Sequence, residues 1–270
     1  MDPEVVEAVW AAVEGVIPVP VDTHPLGRHR RRVPDRLCFE GMLIRLVTGC
    51  SWEDTERLLR RQVSDTTLRS RRDQWVRAGV FDLVVEEAIS GYDRLVGLDL
   101  SVVALDGSQQ KAPRGGKGTG PNPVDRAKTG WKWSVAVDRN GIPVGWSADG
   151  ANRNDCILAE PTLQAIGLRG LAADIGTIHL DRGYDYDFVR SHISQAGISA
   201  AVISLRRPYR TATTSPRPLP LGMRWIVERT NSWLTNYGQL RRNTDRRPTH
   251  RLAQLALAIT LIIVAKLIDW

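Results

Sequence analysis

Several features common in secreted, zinc-binding and membrane proteins are missing from this chain of 270 residues. Its three cysteines, Cys38, Cys50 and Cys156, form no CxxC pair and have no histidine at zinc-like spacing, which argues against a disulfide framework and a zinc finger. The N-terminal stretch MDPEVVEAVW is acidic where a signal peptide is basic. The most apolar segment, residues 252–268, is interrupted by polar side chains, which predicts a buried helix rather than a membrane span. We therefore expect a cytoplasmic protein.

Lysine is scarce as well, so most of the positive charge is carried by arginine. The 37 Lys and Arg residues outnumber the 30 Asp and Glu residues, for a net charge of +7. The charge is concentrated in two blocks: residues 28–80 hold 13 arginines and 7 acids, and residues 206–251 hold 11 arginines and 2 acids. Because a guanidinium can donate two parallel hydrogen bonds to a phosphate, such clusters are typical of nucleic-acid-binding proteins. The charge distribution predicts a nucleic-acid partner.

Residues 37–79 carry the pattern of a small helical domain. Apolar residues recur at steps of three and four, and Gly49 followed by Ser51 and Asp54 indicates the end of one helix and the capped start of the next. A further helix is predicted over residues 65–78. Two helices joined by a tight turn are typical of a helix-turn-helix that enters the DNA major groove, although a helical bundle with a basic outer face would give the same pattern. The candidate DNA contacts here are Arg69, Arg71, Arg72 and Arg77, with residues 28–32 as a candidate basic arm.

From about residue 100 the sequence changes to short β-rich runs separated by turns and helical segments. Strands are predicted at residues 101–106, 131–138, 143–147, 177–180 and 198–204, and helices at residues 154–166, 184–196 and 224–237. Three strands followed by alternating helices and strands predict an α/β fold, in which helices flank a mixed sheet. The predicted domains are an all-helical, helix-turn-helix-like domain at residues 1–92 and the α/β domain at residues 93–270.

Three carboxylates are candidates for chemistry in the predicted α/β domain. Asp106 and Asp181 each follow an apolar strand, and neighbouring strands of one sheet lie about 4.8 Å apart. Glu228 is one of only two acids in the second basic block. Three hard oxygen ligands can hold Mg²⁺ or Mn²⁺, and two such ions can promote the in-line displacement of a phosphodiester. The pattern predicts metal-dependent cleavage or transfer at a phosphodiester.

Each of these acids also has a simpler explanation. An aspartate at a strand end is more often a turn or cap residue, and Glu228 is flanked by Arg224 and Arg229, which could pair with it at the surface. Asp99 and Asp125 are the alternative carboxylates if the three are misassigned. The residues alone leave both interpretations open.

Longer stretches of the sequence resemble the DDE transposases of bacterial insertion sequences, and more specifically the insertion-sequence-five family. The resemblance covers about residues 37–265 and rests on several blocks in the same order. These blocks are GCSWEDTERLL with TTLRSRRDQWVRAGVFD, then GGKGTGPNPVDRAKTGWKWSVAVDRNGIPVG, ANRND, HLDRGYD, RWIVERTNSWL and LRRNTDRR. Asp106, Asp181 and Glu228 take the positions of the family's three catalytic acids.

The resemblance implies an RNase H-like catalytic domain in which these three acids bind two divalent ions, Mg²⁺ or Mn²⁺. It also implies a protein that binds the terminal inverted repeats of a mobile element, as a homodimer or larger assembly at the bacterial nucleoid. There it would cleave the DNA and join the freed 3′-OH to target DNA. The further candidate phosphate contacts are Lys128, Lys132, Arg224, Arg229, Arg241 and Arg242. The alternatives are a domesticated or decayed, non-catalytic DNA-binding protein and an RNase H-like nuclease without strand transfer.

Overall fold

The computed structural model describes residues 1–19, 32–204 and 223–269. Within these ranges the chain forms two compact units. The first comprises Met1–Val96, Asn236–Asn243 and residues 249–269, and the second comprises Gly97–Thr235 and Thr244–Pro248. The predicted basic arm lies outside the described residues except for Arg32, which pairs with Asp35 at 3.1 Å.

The described residues contain helices in both units and strands in the second unit. The helices are α1 (Pro3–Val16), α2 (Asp35–Thr48), α3 (Trp52–Leu58), α4 (Asp65–Arg77), α5 (Val80–Leu95), α6 (Asp155–Leu168), α7 (Asp187–Gln195), α8 (Arg224–Thr235), α9 (Gly238–Arg241) and α10 (Pro248–Ile268). The strands are β1 (Val102–Lys111), β2 (Gly120–Pro121), β3 (Thr129–Val137), β4 (Pro143–Gly150), β5 (Thr177–Leu180) and β6 (Ala201–Ile203).

The predicted N-terminal helices are present as α2, α3 and α4, with the capping that the sequence indicates. Gly49 ends α2 in the left-handed conformation, with φ of 74°. Ser51 accepts a hydrogen bond from the backbone N–H of Asp54 (3.0 Å), and Ser64 accepts one from that of Thr67 (3.2 Å). These side chains satisfy backbone donors that the first turn of a helix leaves without partners. The N-terminal helical region is therefore confirmed, with α1 and α5 in addition.

The C-terminal helix α10 packs in the first unit, whereas the sequence prediction assigned everything after residue 92 to the second domain. His250 of α10 lies 3.1 Å from Asp73 of α4, and Leu257 lines a cavity together with Met42 of α2. By length and composition α10 could also span a membrane, but 61% of its most apolar window is buried within the protein. Apolar periodicity predicts that a helix is buried without indicating which other elements bury it, so the assignment to the second domain was an assumption.

The second unit is built on a mixed sheet whose strand order is β2-β3-β1-β5-β6, with β4 also paired to β3. β1 runs antiparallel to β3 and parallel to β5, and β5 runs parallel to β6. Parallel neighbours need a crossover connection, and α6 and α7 supply the helices of these connections. The predicted mixed sheet is confirmed: β1, β3 and β4 pair in antiparallel fashion, and β5 and β6 add to β1 in parallel.

Helices cover both faces of this sheet. On one face, Leu163 of α6 and Ile193 of α7 share a core with Leu105 of β1. On the other face, α8 packs against β1 and β3, and the buried indole Nε1 of Trp133 donates to the side-chain oxygen of Asn231 at 2.8 Å. This buried hydrogen bond fixes α8 on the sheet, because either polar group would be costly to bury alone.

Replacing Gly238 by alanine should test whether the segment after residue 235 packs against α2. A Cβ at Gly238 would lie 2.5 Å from the carbonyl oxygen of Thr48, a backbone atom that cannot move aside easily. We expect Gly238→Ala to lower the free energy of unfolding by about 1–3 kcal/mol in a urea titration.

Gly91→Ala is the matched control, because a Cβ at this position within α5 meets no atom within 4 Å. The control should be neutral or raise the free energy of unfolding by about 0.5–1 kcal/mol. Equal effects of the two substitutions would contradict the packing of α9 against α2.

Candidate active site

Parallel pairing of β1 with β5 brings the two candidate aspartates side by side. The pairing aligns Ala104 with His179, and two residues further along each chain come Asp106 and Asp181. Adjacent strands are about 4.8 Å apart, so the two acids lie at neighbouring positions of the sheet. Asp181 follows the end of β5 directly, and its carboxylate accepts a hydrogen bond from the backbone N–H of Gly183 at 2.6 Å. The predicted juxtaposition of these two acids is present.

The prediction that β1 ends at Asp106 is wrong, because the strand continues to Lys111. Gly107 does not break the strand; a Cβ there would collide with the carboxylate of Asp155, the first residue of α6. That carboxylate lies 2.8 Å from the Nζ atom of Lys132 on β3, which is almost fully buried. Gly107 therefore marks the close approach of an acid, paired with a buried lysine, to the strand. The sequence analysis did not assign this pairing to Asp155 or Lys132.

The third acid, Glu228, approaches the two aspartates from α8 together with Arg224. The Nη2 atom of Arg224 lies 3.7 Å from Asp106, 3.9 Å from Asp181 and 3.3 Å from Glu228. The Asp106 side chain is only 19% exposed, whereas Glu228 is 57% exposed. Three carboxylates drawn from β1, the end of β5 and α8 thus converge on one cationic group.

Burial controls the electrostatics of this carboxylate cluster. It raises the pKa of Asp106 to about 6, and the backbone N–H of Gly107 and the guanidinium of Arg224 offset only part of this shift. A buried carboxylate favours its protonated form because the charged form loses solvation, and a nearby cation reverses that preference. The Gly107 N–H and the Arg224 guanidinium therefore both lower the pKa of Asp106 and favour its ionised form.

The cluster suits a divalent cation in chemistry but is not closed around one. Among the described residues, no group of three or more Asp, Glu, His or Cys side chains has the spacing of a metal site. The three acids nevertheless offer the oxygen ligands that hard cations such as Mg²⁺ prefer, and they already surround a positively charged nitrogen. An ion could take that position only if the Arg224 side chain moved out.

Three of the residues predicted to contact DNA are buried in the structure. Arg71 pairs with Asp35, Arg72 lies 2.8 Å from Asp73, and Lys132 forms the ion pair already described. Charges that are withdrawn from solvent and paired with an acid cannot reach a phosphate without the loss of that pairing. Sequence indicates that a residue is charged but not that it faces outwards.

The other predicted contacts are distributed between the surface and α8. The exposed ones are Arg69, Arg77, Lys128, Arg241 and Arg242. Arg224 lies in the carboxylate cluster, and Arg229 lies between two indole rings on α8. All five side chains are accessible from solvent, although Arg69 lies 2.8 Å from Asp65 and the Nε atom of Arg77 donates to the backbone carbonyl of Asp73 at 3.0 Å.

The alternative carboxylates have structural partners of their own. Asp99 accepts a hydrogen bond from the backbone N–H of Ser101 at 3.1 Å, in the turn before β1. Asp125 lies 4.0 Å from Lys111 and 3.8 Å from Lys128. These partners do not include Arg224 or any of the three clustered acids, so these two positions do not replace the predicted triad.

Removing the buried charge of Lys132 should test its structural role. Lys132→Met removes the ammonium from the partly exposed carboxylate of Asp155 and from the backbone carbonyl of Arg153, and we expect the free energy of unfolding to fall by about 1–3 kcal/mol. Lys128→Met is the control, because Lys128 is exposed and lies 3.8 Å from its acid, so the change should stay within about 0.5 kcal/mol. Urea unfolding of both variants measures the difference; similar stabilities would contradict the buried pairing.

Solved structures of other transposases resemble this chain only distantly. The "Crystal structure of a pre-cleavage Mos1 transpososome" aligns over 92% of this chain and 82% of that one, with 11% sequence identity and a TM-score of 0.30. The "Mos1 transposase paired-end complex with left transposon end" gives 10% identity and a TM-score of 0.27 over the same shares. The strand order and pairing described above define the fold of the second unit.

Comparisons of the sequence with known proteins identify transposases specifically. Residues 5–85 match the family model described as "Putative transposase of IS4/5 family", and residues 97–263 match the one described as "Transposase DDE domain". The "Putative transposase for insertion sequence element IS402" of Burkholderia cepacia is 34% identical over 65% of this chain and 80% of its own length. The "Insertion element IS402 uncharacterized 16.2 kDa protein" of the same organism is 28% identical over 45% of this chain and 82% of its own length. The chain therefore belongs to the DDE transposases of bacterial insertion sequences.

Proposed function

We propose that this transposase uses Asp106, Asp181 and Glu228 to hold two divalent ions, Mg²⁺ or Mn²⁺, and cuts DNA at the terminal inverted repeats of its element. The observation that carries the proposal is the convergence of the three carboxylates on the Arg224 guanidinium, within 4 Å of each acid. Carboxylates held so close stay ionised together only when a cation lies between them. Glu228 is 57% exposed, so the cluster is accessible from the α8 side.

Each residue of the carboxylate cluster has its own role in this proposal. Asp106 and Asp181 are fixed by the sheet and set one side of the site, and Glu228 closes it from α8. When bound, two divalent ions would activate the attacking oxygen and stabilise the leaving oxygen of an in-line displacement. Arg224, on leaving the carboxylates, stays within reach of the phosphate and can neutralise its negative charge.

Two displacements of this kind account for transposition. In the first, water attacks a phosphodiester at the end of the element, the P–O bond to the 3′ oxygen breaks, and a 3′-OH is released. In the second, this 3′-OH attacks a phosphodiester of target DNA, so that one P–O bond forms as another breaks. The same three acids would serve both displacements, because the charge that develops on the phosphate is similar in each.

Double-stranded DNA is the proposed partner, bound through the exposed basic side chains. We assign phosphate contacts to Arg69, Arg77, Lys128, Arg241 and Arg242, with α4 as the candidate recognition helix. Because both ends of an element must be cut and joined, we propose a homodimer or larger assembly on DNA. A protein with this substrate would act in the bacterial cytoplasm, at the nucleoid.

The direct test is cleavage of a labelled duplex that carries the inverted repeat flanking the coding sequence, with Mg²⁺ or Mn²⁺. Wild type should cut at the repeat boundary, and Glu228→Gln should lower the cleavage rate by more than about a hundredfold, because the amide cannot supply the negative charge that a metal ligand needs. Glu160→Gln is the matched control: Glu160 is an exposed glutamate of α6 in the same unit, and its loss should leave cleavage unchanged.

Binding and joining assays on the same DNA separate the alternatives. A wild type that binds the repeat but cuts in neither metal would be the non-catalytic DNA-binding protein. Cleavage without joining of the 3′ end to a target plasmid would indicate the nuclease without strand transfer. Cleavage that survives Glu228→Gln would contradict the assigned triad.

The salt dependence of DNA binding tests the assigned phosphate contacts. Each contact that is lost should reduce the slope of log affinity against log salt concentration by about 0.9, because one counterion fewer is released. We expect a reduction for Arg241→Ala and for Arg242→Ala. The control is Arg94→Ala, because Arg94 is exposed at the end of α5 and lies outside the basic blocks, so its loss should leave the slope unchanged. Equal slopes for all three variants would contradict the phosphate contacts assigned to Arg241 and Arg242.

A further inference from the structure

Two exposed turns of the chain hold arginine in a backbone conformation that arginine rarely adopts. Among the described residues, the ones other than glycine with a positive φ are Arg60 (51°), Arg61 (56°), Arg126 (50°) and Ala127 (56°). In this left-handed region the Cβ atom crowds the next carbonyl oxygen, so glycine or asparagine is the usual residue. Strain of this kind persists where the surrounding structure imposes it, and it clusters at functional sites. Backbone conformation therefore does not explain why an arginine stands at position 126.

The loop between β2 and β3 imposes the left-handed conformation through its own hydrogen bonds. The side-chain oxygen of the buried Asn122 accepts from the backbone N–H of Val124 (3.0 Å), and its backbone carbonyl accepts from that of Ala127 (3.0 Å). The backbone N–H of Asn122 donates to the carbonyl of Lys128 at 2.8 Å. We refer to residues 122–128 as the β2–β3 loop. Because the loop is closed on itself, little further ordering is needed when its outward side chains bind a partner.

The β2–β3 loop lies on a basic surface. Residues 107–137 contain six lysines and arginines but one acid, Asp125. Apart from the buried Lys132, these bases are exposed: Lys111, Arg114, Lys117, Arg126 and Lys128. Asp125 lies 4.0 Å from Lys111 and 3.8 Å from Lys128. Within the described residues the Arg126 guanidinium has neither a hydrogen-bond partner nor an ion-pair partner, so its charge is available to a ligand.

The charge of this surface favours DNA over a protein partner. Val124 of the loop is 79% exposed, and a protein segment could cover it. That segment would also take the neighbouring lysines and arginines out of water, and a buried charge without a partner is costly. A polyanion instead gains from each of these charges, and one guanidinium can donate two parallel hydrogen bonds to a phosphate. The surface therefore fits the backbone of DNA.

Strand β1 sets the distance between this loop and the carboxylate cluster. Asp106 and Lys111 are five residues apart on β1, which corresponds to about 17 Å at about 3.4 Å per residue. Lys111 lies 4.0 Å from Asp125, so the loop stands where β1 ends. A duplex rises about 3.4 Å per base pair. A duplex that lies along β1 with one phosphate at the acids therefore passes the loop about five base pairs away.

We propose that Arg126 binds a backbone phosphate of the cleaved duplex about five base pairs from the phosphate that is cut. The inference rests on the proposed function, since it takes cleavage at Asp106, Asp181 and Glu228 as given. A phosphate contact carries no information about the base, so this one fixes where the duplex lies along β1 and not which sequence it has. Arg126 is thus a positioning residue for the DNA.

Replacing Arg126 by glycine should move stability and DNA affinity in opposite directions. Glycine adopts a φ near 50° without strain, so the urea midpoint of Arg126→Gly should rise. Affinity for a duplex that carries the inverted repeat, measured with Ca²⁺ in place of Mg²⁺, should fall about three- to tenfold, and the slope of log affinity against log salt concentration should fall by about 0.9. A lower urea midpoint with an unchanged slope would indicate a structural arginine and overturn the contact.

Two variants of the same turn control for the changes in backbone and charge. Ala127→Gly relieves strain at the next residue and keeps every charge, so it should raise the urea midpoint and leave DNA affinity unchanged. Arg126→Lys keeps the positive charge and should keep the salt slope, with an affinity within about threefold of wild type. Equal losses of affinity in Ala127→Gly and Arg126→Gly would indicate loop rigidity rather than the guanidinium, and would overturn the contact.

A scan of the DNA backbone locates the phosphate that Arg126 contacts. Uncharged methylphosphonates replace the phosphates of each strand one at a time, on both sides of the repeat boundary, and binding is measured with Ca²⁺. Wild type should lose affinity at a phosphate about four to seven base pairs from the boundary, and Arg126→Gly should lose none at that same phosphate. Equal sensitivity of the two proteins at every phosphate would overturn the contact, and an Arg126-dependent phosphate directly at the boundary would overturn the spacing set by β1.

The outcomes separate this inference from the proposed function. Cleavage that depends on Glu228, together with a scan in which no phosphate depends on Arg126, would overturn the Arg126 contact alone. An Arg126-dependent phosphate in a protein that cuts in neither metal would overturn the proposed cleavage alone. Unchanged DNA affinity in Arg126→Gly with an altered oligomeric state in sedimentation would assign the loop to a protein contact and overturn the inference.

Discussion

Parallel pairing between β1 and β5 is the constraint on which the active site depends. Side chains alternate along a strand, so a slip of one residue would turn Asp181 to the face of the sheet opposite Asp106. The register Val102 to Thr177 and Ala104 to His179 prevents this slip. Apolar side chains on the α6 and α7 face hold the register, so the core determines where the acids lie.

Helix α8 is buried on one side and exposed on the other, and the hydrogen bond between Trp133 and Asn231 fixes which side faces the sheet. One side of the helix is buried on the sheet, while Glu228 stays 57% exposed. The buried bond fixes the rotation of α8 about its own axis, and that rotation sets the direction of every other side chain on the helix. Arg224 then falls among the acids, and its charge offsets the repulsion that their proximity creates.

Local signals in the sequence predicted most of the fold, because they are properties of a few neighbouring residues. Capping at Ser51 and the 177–180 strand match the structure closely. Lys132 was misjudged because its direction depends on Asp155, more than twenty residues away along the chain. An ion pair between residues so far apart in sequence produces no periodic pattern from which it could be predicted.

The role of a glycine is also hard to predict from sequence when it depends on residues far away along the chain. The predicted strand ended just before Gly107, yet this glycine lies within β1 and gives space to Asp155. Gly116, in the glycine run, has φ of 114°, and a Cβ there would lie 2.7 Å from the Cα atom of Arg246. The sequence shows where a glycine stands. Only the tertiary structure shows which neighbouring atom occupies the position that a Cβ would take.

The first unit is discontinuous in sequence, and this has a consequence for the order in which the protein is made. Synthesis proceeds from the N-terminus, so α1 to α5 leave the ribosome long before α9 and α10, which complete their core. Residues 97–235 of the second unit are synthesised in between. The growing chain must therefore keep the apolar side of a partly built helical unit from aggregating until its last segment arrives, a demand that grows with the sequence separation of the contacts.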